Sequence, residues 1–324
     1  MTLELRQLGN SDLRITPIAL GCWPIAGMTT LDVHREASLA TIRQAFESGI
    51  SHFDTAYCYG LQGESETMLA TALADVRPQV SIATKCGICW DAAGERVNDA
   101  RPAVLRRQLE ESLRRLQTDR VDLVYLHSPD GKTPIEESAG AFAEFIRDGL
   151  TRYVGVSNTT LSEIQRFHAI CPVVVVQLRH NVLQRQIEDE IVPWCQAHQI
   201  GVAAYWPLMK GLLAGKLRRG FAFDPRDPRL KYEVYQGAAW DATQDFLDLL
   251  DPIAARLGKT IAQIVVNWSA HRTGITTVLC GAKRPHQIAE TVGALGWRLD
   301  VAALADIESG YRVWQRATQK PPVV

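Results

Sequence analysis

The fold is decided by residues 121–156, whose sequence is VDLVYLHSPDGKTPIEESAGAFAEFIRDGLTRYVGV. Two mostly apolar runs, residues 121–127 and 153–156, lie on either side of an amphipathic segment. Runs in which polar residues do not alternate with apolar ones are typical of parallel strands that are covered on both faces. The stretch therefore predicts a strand, a helix and a second strand of one parallel sheet.

Helix boundary signals agree with this interpretation. Thr133 is a candidate N-cap, with Pro134 at the first helical position and Glu136 as its capping-box partner. Gly149 is placed to end the same helix. Equivalent signals start two later helices, at Thr160 with Glu163 and at Thr260 with Gln263, and Gly258 ends the helix that precedes the second of them.

The alternation of apolar run and amphipathic segment continues along the chain. Eight strands that are each followed by a helix indicate a closed (β/α)8 TIM barrel, an α/β fold whose usual size is about 250 residues. The chain has 324 residues, so the remainder is expected to form additions to the barrel. The six further candidate strands are residues 17–21, 52–54, 81–85, 173–177, 202–205 and 276–279.

Two additions to the barrel are predicted. Residues 3–16, centred on Gly9, Asn10 and Ser11, are typical of an N-terminal β-hairpin that covers the bottom of the barrel. Residues 211–240, rich in Arg, Gly and Pro, are the longest of the inserted loops expected at the C-terminal face. No low-complexity linker divides the chain, so residues 1–324 are expected to form a single domain.

The composition excludes several classes of protein. The 35 basic and 36 acidic side chains give a net charge of -1, which argues against a nucleic-acid partner. The longest apolar runs are far shorter than the roughly 20 residues that cross a bilayer, so no membrane partner is expected. The N-terminus lacks the order of a secretory signal, and seven cysteines fit reduced thiols better than disulfides. We therefore expect a cytoplasmic protein; the sequence predicts no oligomeric state.

Reactive side chains are expected where the barrel strands end, because active sites of this fold lie at the carboxyl ends of the strands. The run 52–54 ends in Asp54, the run 81–85 in Lys85, and the run 121–127 in His127. An aspartate or histidine at such a place is usually a cap or a core hydrogen-bond donor. Lys85 is different, because a buried ammonium is costly without an anion, and Asp54 supplies one.

A tyrosine beside this pair completes a proton-transfer site. The phenol of Tyr59 has an ordinary pKa near 10, and an adjacent ammonium from Lys85 is expected to lower it by about 1 to 3. Asp54 would then hold Lys85. His127 would donate a hydrogen bond to a substrate oxygen or share the proton as the pH falls. This arrangement suits a carbonyl that accepts hydride while its oxygen is protonated.

The motifs around these residues resemble the aldo-keto reductase family, in its bacterial type. They are Asp-Thr-Ala-x-x-Tyr-Gly at 54–60, Thr-Lys at 84–85, Asp-Leu-x-x-x-His at 122–127 and Gly-Val-Ser-Asn at 155–158. The resemblance extends from the hairpin to about residue 300. It implies a catalytic tetrad of Asp54, Tyr59, Lys85 and His127, in which Tyr59 is the general acid. Tyr57 occupies a position that the family leaves variable.

The resemblance also implies a nicotinamide cofactor bound across the barrel mouth. Ser157, Asn158 and Gln177 are then expected to hydrogen-bond the carboxamide, and Tyr205 to stack on the nicotinamide ring. Two departures from the family pattern stand beside these positions: Trp206 replaces a small residue, and Thr291 replaces a common asparagine. The remaining cofactor positions implied are Trp206, Leu208, Lys210 and Gly211 at the pyrophosphate, and Gly281, Lys283, Arg284, Gln287 and Glu290 at the adenosine end.

Two cations bear on which cofactor is used. Lys283 and Arg284 precede Pro285 at the start of a predicted helix, and a helix N-terminus with cations beside it suits a phosphate group. They favour NADPH, whose adenosine carries an extra phosphate, over NADH, which stays an alternative.

The sequence says less about the substrate. Trp23 and Trp90 are predicted to line an apolar pocket for a small carbonyl compound. The loop 87–101 and the insert after Leu212 are expected to determine which substrate is bound. Cys86 and Cys89 have the spacing of a metal-binding pair, but the sequence contains no second such pair, so no metal site is predicted. Five cysteines lie at or just after predicted strand ends, namely Cys22, Cys58, Cys86, Cys89 and Cys280. Their position suggests the hypothesis of a redox-sensitive active site.

The leading hypothesis is NADPH-dependent reduction of an aldehyde or ketone to an alcohol. The same site could run in reverse, as an NAD(P)-dependent sugar or alcohol dehydrogenase. A cofactor-binding regulatory subunit is a hypothesis of another class, disfavoured because the sequence lacks an added N-terminal partner segment. A barrel isomerase or aldolase with Lys85 as its Schiff-base amine shares the same fold.

Overall fold

Twelve strands are present in the described part of the chain. A computed structural model describes residues 3–27 and 31–318. The strands are β1 (Arg6–Gln7), β2 (Arg14–Ile15), β3 (Ile18–Gly21), β4 (His52–Asp54), β5 (Ser81–Cys86), β6 (Ile88–Trp90), β7 (Arg96–Asn98), β8 (Val121–Leu126), β9 (Thr151–Ser157), β10 (Val175–Arg179), β11 (Gly201–Tyr205) and β12 (Thr277–Gly281).

Ten α-helices are found in the same residues. None of them is both long enough and apolar enough to cross a membrane. They are α1 (Arg35–Glu47), α2 (Glu64–Ala72), α3 (Pro102–Leu116), α4 (Ile135–Arg147), α5 (Leu161–Ile170), α6 (Ile191–Ala197), α7 (Gly237–Leu257), α8 (Ile261–Ala270), α9 (Pro285–Val292) and α10 (Val301–Thr318).

Eight of the strands close into a parallel barrel. Their order around it is β10-β11-β12-β3-β4-β5-β8-β9, so each strand lies beside its neighbour in the chain. The predicted TIM barrel is confirmed, and each of the eight predicted strands overlaps an observed one. Strand ends differ from the prediction by up to two residues, as at β9 and β10. The carboxyl ends of the eight strands consequently meet at one mouth.

The helix signals were correct with one exception. Two of the three predicted capping boxes form, with Thr160 and Thr260 as N-caps. The third was wrong, because α4 begins at Ile135 and its N-cap is Pro134, without a side-chain bond. The hydroxyl of Thr133 donates instead to Asp130 Oδ2 at 2.8 Å. Burial acts to raise the pKa of Asp130, but the backbone N–H groups that donate to its carboxylate outweigh this effect and hold the pKa at about 2.

The predicted N-terminal hairpin closes the bottom of the barrel. Strands β1 and β2 pair antiparallel, and Leu8, Leu13 and Ile15 pack with residues of the barrel interior. Gly9 has a φ of 54°, and a Cβ there would lie 2.0 Å from the carbonyl oxygen of Val174. The close approach of hairpin and barrel therefore requires glycine at this position.

The two inserts at the mouth contain regular secondary structure. The predicted loop 87–101 contains the antiparallel pair of β6 and β7. The insert after β11 forms three 3-10 helices and leads into α7. Leu212, Leu213 and Tyr235 of the insert share an apolar cluster with Phe246 and Leu250 of α7. Both inserts stand at the end of the barrel where chemistry is expected.

A large phenol fills the barrel below the mouth. Tyr125 of β8 is fully buried, and its ring occupies the space beside Gly155 of the neighbouring strand β9. A Cβ at Gly155 would lie 2.6 Å from two carbons of that ring and 2.8 Å from the carbonyl oxygen of Val175. Contacts this short force neighbouring atoms to move.

Gly155→Ala is therefore expected to lower the free energy of unfolding by about 1–3 kcal/mol, as overpacked cores do. Gly140→Ala is the matched control, because Gly140 lies inside α4 with open space beside it. Alanine there should stabilise the helix by roughly 0.5–1 kcal/mol. Urea unfolding curves of the two variants measure both effects. Equal stability of the two variants would show that the Tyr125 ring does not constrain β9.

Candidate active site

A buried ion pair lies at the centre of the barrel mouth. Lys85, in β5, is fully buried, and its Nζ donates to Asp54 Oδ1 at 2.5 Å. The same nitrogen donates to the carbonyl oxygen of Thr55 at 2.7 Å and to the Tyr59 hydroxyl at 3.2 Å. Asp54 is the last residue of β4, the strand beside β5. The three N–H groups of the ammonium thus all have partners.

The carboxylate of Asp54 is held from the other side of the barrel. Its second oxygen accepts a hydrogen bond from Gln177 Nε2 at 2.8 Å, and Gln177 belongs to β10. The Lys85 ammonium also lies 4.7 Å from the ring centroid of Tyr59 and 6.0 Å from that of Tyr125. The pair is therefore both charge-balanced and surrounded by polar or aromatic groups.

The structure places Tyr59, and not Tyr57, next to Lys85. Tyr59 lies on the loop after β4. Tyr57 points to the outside of that loop, where its hydroxyl donates to Glu111 at 2.7 Å and its ring lies 4.5 Å from the guanidinium carbon of Arg115. Of these two phenols, only that of Tyr59 is positioned to exchange a proton within the ion-pair cluster.

The expected acidity of Tyr59 was wrong in sign. Burial raises the pKa of Tyr59 well above its usual value, and the negative charge of Asp54 raises it further. The ammonium of Lys85 does not reverse this, because the adjacent carboxylate already neutralises it. The phenol is consequently protonated at neutral pH.

His127 directly follows β8 and lies beside Tyr59. Its ring centroid lies 5.8 Å from that of Tyr59, and its Nδ1 lies 3.7 Å from the sulfur of Cys58. Burial, helped by the charges of Lys85 and Arg96, lowers the pKa of His127 well below its usual value. The expected sharing of a proton by His127 as the pH falls is therefore disfavoured, since the lowered pKa favours the neutral imidazole. A neutral imidazole still carries one N–H donor.

The residues assigned to the carboxamide lie together at the ends of three strands. Asn158 has a φ of 57°, and its Nδ2 donates to the carbonyl oxygen of His127 at 2.8 Å and to Ser157 Oγ at 3.1 Å. Its Oδ1 accepts from the Tyr205 hydroxyl at 2.7 Å. Gln177 lies between them on β10. The group offers both donors and acceptors beside His127.

The next segment, after β11, offers a positively charged turn. Met209, Lys210 and Gly211 have φ values of 46°, 52° and 96°. Two of the three N–H groups are used within the turn itself, since Met209 N donates to the carbonyl oxygen of Trp206 at 3.2 Å and Gly211 N to that of Leu208 at 2.8 Å. Burial and the nearby charges of Lys231 and Arg229 lower the pKa of Lys210 to about 8.

Aromatic rings surround this turn. Lys210 Nζ lies 4.7 Å from the Tyr232 ring centroid and 5.4 Å from that of Trp206. The indole of Trp206 packs edge-on against Tyr232, and Arg179 lies over it at 5.3 Å. Leu208 packs against the apolar clusters on both sides. The bulky Trp206 thus has a dedicated packing site.

The residues assigned to the adenosine end surround the start of α9. Gly281 ends β12, and Arg284 is the N-cap of α9. The Lys283 ammonium donates to the carbonyl oxygen of Leu31 at 2.9 Å. Gln287 Oε1 accepts the backbone N–H groups of Lys283 and Arg284. Glu290 accepts from Lys216 at 3.3 Å. Two cations therefore flank this helix N-terminus.

Both predicted pocket tryptophans lie near Tyr59. The ring centroids of Trp23 and Tyr59 are 4.9 Å apart, edge to face. The indole nitrogen of Trp90 donates to the carbonyl oxygen of Cys58 at 2.9 Å, and its ring packs in one cluster with Tyr59. Apolar surface therefore lies beside the phenol of Tyr59.

The strand-end thiols have the properties of packing groups. Cys22, Cys58, Cys86 and Cys280 are buried, and burial raises the pKa of each thiol, that of Cys58 to about 12. Burial also raises the pKa of the half-exposed Cys89. Thiolates are the reactive form, so these values weigh against the redox hypothesis. In residues 3–27 and 31–318, no group of three or more His, Cys, Asp or Glu side chains is arranged to hold a metal ion.

Sequence reasoning missed two parts of the site. Glu66 of α2 is fully buried; it accepts from Thr84 at 2.6 Å and from Arg115 at 3.2 Å, and Arg115 also donates to the carbonyl oxygen of Tyr57. This network supports the loop that carries Tyr59. The second part is Arg96 of β7, whose positive charge acts to lower the pKa of both Tyr59 and His127. The sequence contains one signal for the hairpin that carries Arg96, because the turn-forming residues Asp91 to Gly94 lie between Trp90 and Arg96.

A TIM barrel whose mouth gathers an ion pair, a phenol and an imidazole belongs to the class of barrel enzymes with their chemistry at the carboxyl ends of the strands. The chain belongs to the aldo/keto reductase family, whose model matches residues 17–312. It is thus an oxidoreductase of the kind that uses NAD(P)H.

Several characterised proteins are similar over almost the whole chain. The aldo-keto reductase YhdN of Bacillus subtilis (strain 168) is 31% identical over 310 residues, which are 95% of this chain and 93% of that protein. An NADH-specific methylglyoxal reductase of Escherichia coli (strain K12) is 30% identical over 310 residues, which are 91% and 94% of the two chains. The structure of a glycerol dehydrogenase from Gluconobacter oxydans matches with a TM-score of 0.90 and 30% identity, covering 100% of this chain and 99% of that one.

The ion pair should be visible in the stability of variants. Lys85→Met leaves the buried carboxylate of Asp54 without its cation, so we expect a loss of about 3–5 kcal/mol in the free energy of unfolding. The double variant Asp54→Asn with Lys85→Met removes both charges and should recover a large part of that loss. Urea unfolding of the wild type, both single variants and the double variant measures the coupling. Additive losses would contradict a directly coupled pair.

Proposed function

We propose that this protein reduces an aldehyde or ketone to an alcohol with NADPH as the hydride donor and Tyr59 as the general acid. The observation that carries the proposal is the contact of 3.2 Å between the Tyr59 hydroxyl and the ammonium of Lys85, which is itself bound to Asp54. A protonated phenol beside a cation can give up its proton to a nearby oxygen and be stabilised as it does so.

The proton moves through this chain's own residues. The Tyr59 hydroxyl donates its proton to the carbonyl oxygen as negative charge develops there. The phenolate that results is stabilised by the ammonium of Lys85, whose position is kept by Asp54 and Gln177. His127 is neutral and donates its remaining N–H to the same oxygen. When bound, the reduced nicotinamide supplies the hydride that the carbonyl carbon accepts.

The residues at the mouth fit such a cofactor. A carboxamide requires both donors and acceptors, and the group of Ser157, Asn158 and Gln177 provides them next to His127. The turn after β11 brings the side chain of Lys210 to the mouth as a partner for a pyrophosphate. The N-terminus of α9 offers a further anion site.

NADPH is the proposed donor because of two charges. Lys283 and Arg284 lie at the start of α9, where an extra phosphate on the adenosine would find a helix dipole and two cations. The E. coli relative is named as NADH-specific, and the other relatives are not named for a cofactor. We assign it here from the local charges of this chain.

A dehydrogenase acting in the reverse direction is the second candidate. It is favoured by the structural match to a glycerol dehydrogenase, and the same phenol would then accept a proton from an alcohol. Schiff-base chemistry on Lys85 is disfavoured, because its three N–H groups donate to Asp54, Thr55 and Tyr59 and leave no lone pair for attack.

The role of Tyr59 is tested by two single-atom variants. Tyr59→Phe removes the acid, so kcat/KM for reduction should fall roughly 10²–10⁴-fold, the usual contribution of such a group. Tyr57→Phe is the control: it removes a hydroxyl two residues away that faces Glu111, and kcat/KM should stay close to the wild-type value. NADPH absorbance with a panel of aldehydes and ketones reports both. The reverse order of the two effects would refute the assignment.

The role of the α9 cations is tested with both cofactors. Replacing Lys283 and Arg284 by alanine should raise KM for NADPH by roughly tenfold or more, the value of one charge-assisted hydrogen bond. KM for NADH should rise far less, because NADH lacks the extra phosphate. Lys259→Ala, at a lysine that packs over Trp297, controls for the loss of a positive charge. Equal effects on the two cofactors would exclude the phosphate assignment.

A further inference from the structure

The hairpin of β6 and β7 lies against the reactive phenol through one of its faces. Its register pairs Trp90 directly with Arg96. Directly paired residues of antiparallel strands project from the same face. The Trp90 indole donates to the carbonyl oxygen of Cys58 and packs in one cluster with Tyr59. Arg96 therefore projects from the face that is turned toward the active site.

The hairpin is held firmly at both ends. At its tip, Asp91 Oδ1 accepts the N–H groups of Ala93 and Glu95 at 2.9 Å. At its base, Asn98 Nδ2 donates to Ser128 Oγ at 3.3 Å and to the carbonyl oxygen of Pro129 at 3.2 Å. The first strand is thus tied to the loop that carries Tyr59, and the second to the loop that follows His127.

Arg96 brings a positive charge to the mouth that no described carboxylate balances. Its guanidinium is exposed and has no salt bridge or side-chain hydrogen bond within residues 3–27 and 31–318, whereas Arg101 nearby is paired with Asp99. The Lys85 charge is neutralised by Asp54. The charge of Arg96 reaches the reactive groups, since it acts to lower the pKa of both Tyr59 and His127.

We propose that Arg96 binds an anionic group of the substrate, so that the preferred substrates are aldehydes or ketones that also carry a carboxylate or a phosphate. The planar guanidinium offers paired N–H donors, which match either oxyanion. Trp90, directly opposite, supplies the apolar surface for the carbon skeleton between the two ends. The inference rests on the proposed carbonyl reduction and names its substrate class.

Matched substrates test this assignment. Para-carboxybenzaldehyde and para-methylbenzaldehyde differ in charge at similar size, and phosphorylated glyceraldehyde is compared with glyceraldehyde. We expect wild-type protein to prefer the anionic member of at least one pair, and the pair with the larger preference distinguishes carboxylate from phosphate. In Arg96→Gln, the ratio of kcat/KM for anionic over neutral substrate should fall about tenfold or more, mainly through KM.

Two further variants make the result specific. Arg96→Lys keeps the charge and should retain part of the preference. Arg120→Gln removes an exposed guanidinium that precedes β8, at the opposite end of the barrel, and should leave the ratio at its wild-type value. A wild-type ratio near one, or the same fall in Arg120→Gln, would overturn the assignment.

A binding experiment separates this inference from the proposed function. If the neutral aldehydes are not reduced either, the proposed function fails. Calorimetry in the presence of NADP, with para-carboxybenzyl alcohol and para-methylbenzyl alcohol as probes, then decides the role of Arg96. Tighter binding of the carboxylate by wild type than by Arg96→Gln supports it, and equal binding of the two probes overturns it.

Discussion

The whole site depends on one constraint: an ammonium at the end of a core strand must have an anion beside it. Lys85 meets this constraint through Asp54 of the neighbouring strand, and Gln177 holds the same carboxylate from across the barrel. Because these three residues belong to the strands β4, β5 and β10, their positions are set by strand register, not by loops. The third N–H of the ammonium is thereby aimed at Tyr59.

The balance of charge in this cluster also determines the protonation states around it. An unpaired ammonium would make the phenol of Tyr59 more acidic, whereas the paired one leaves burial as the larger effect, and the pKa of Tyr59 rises. The same burial keeps His127 neutral. Near neutral pH both groups therefore carry a proton, Tyr59 on its hydroxyl and His127 on one ring nitrogen.

Much of this could be predicted from the sequence, because it follows from strand ends. Asp54, Lys85 and His127 each terminate an apolar run, and closing the barrel brings such ends together. What could not be predicted depends on tertiary distances. The direction in which the pKa of Tyr59 shifts depends on how deeply the phenol is buried. Thr133 does not cap α4, because its hydroxyl donates to Asp130 instead. The position of Arg96 beside the site depends on the hairpin register that pairs it with Trp90.

The site divides into a fixed part and a variable part. The fixed part is the cluster of Asp54, Lys85 and Gln177, which is built on barrel strands and fully hydrogen-bonded. The variable part is the hairpin, whose Trp90 and Asn98 are hydrogen-bonded to the loops beside Tyr59 and His127. Because exposed β7 side chains can change without disturbing buried contacts, substrate preference can change while the chemistry stays. This separation is consistent with one barrel serving relatives that are named for methylglyoxal and for glycerol.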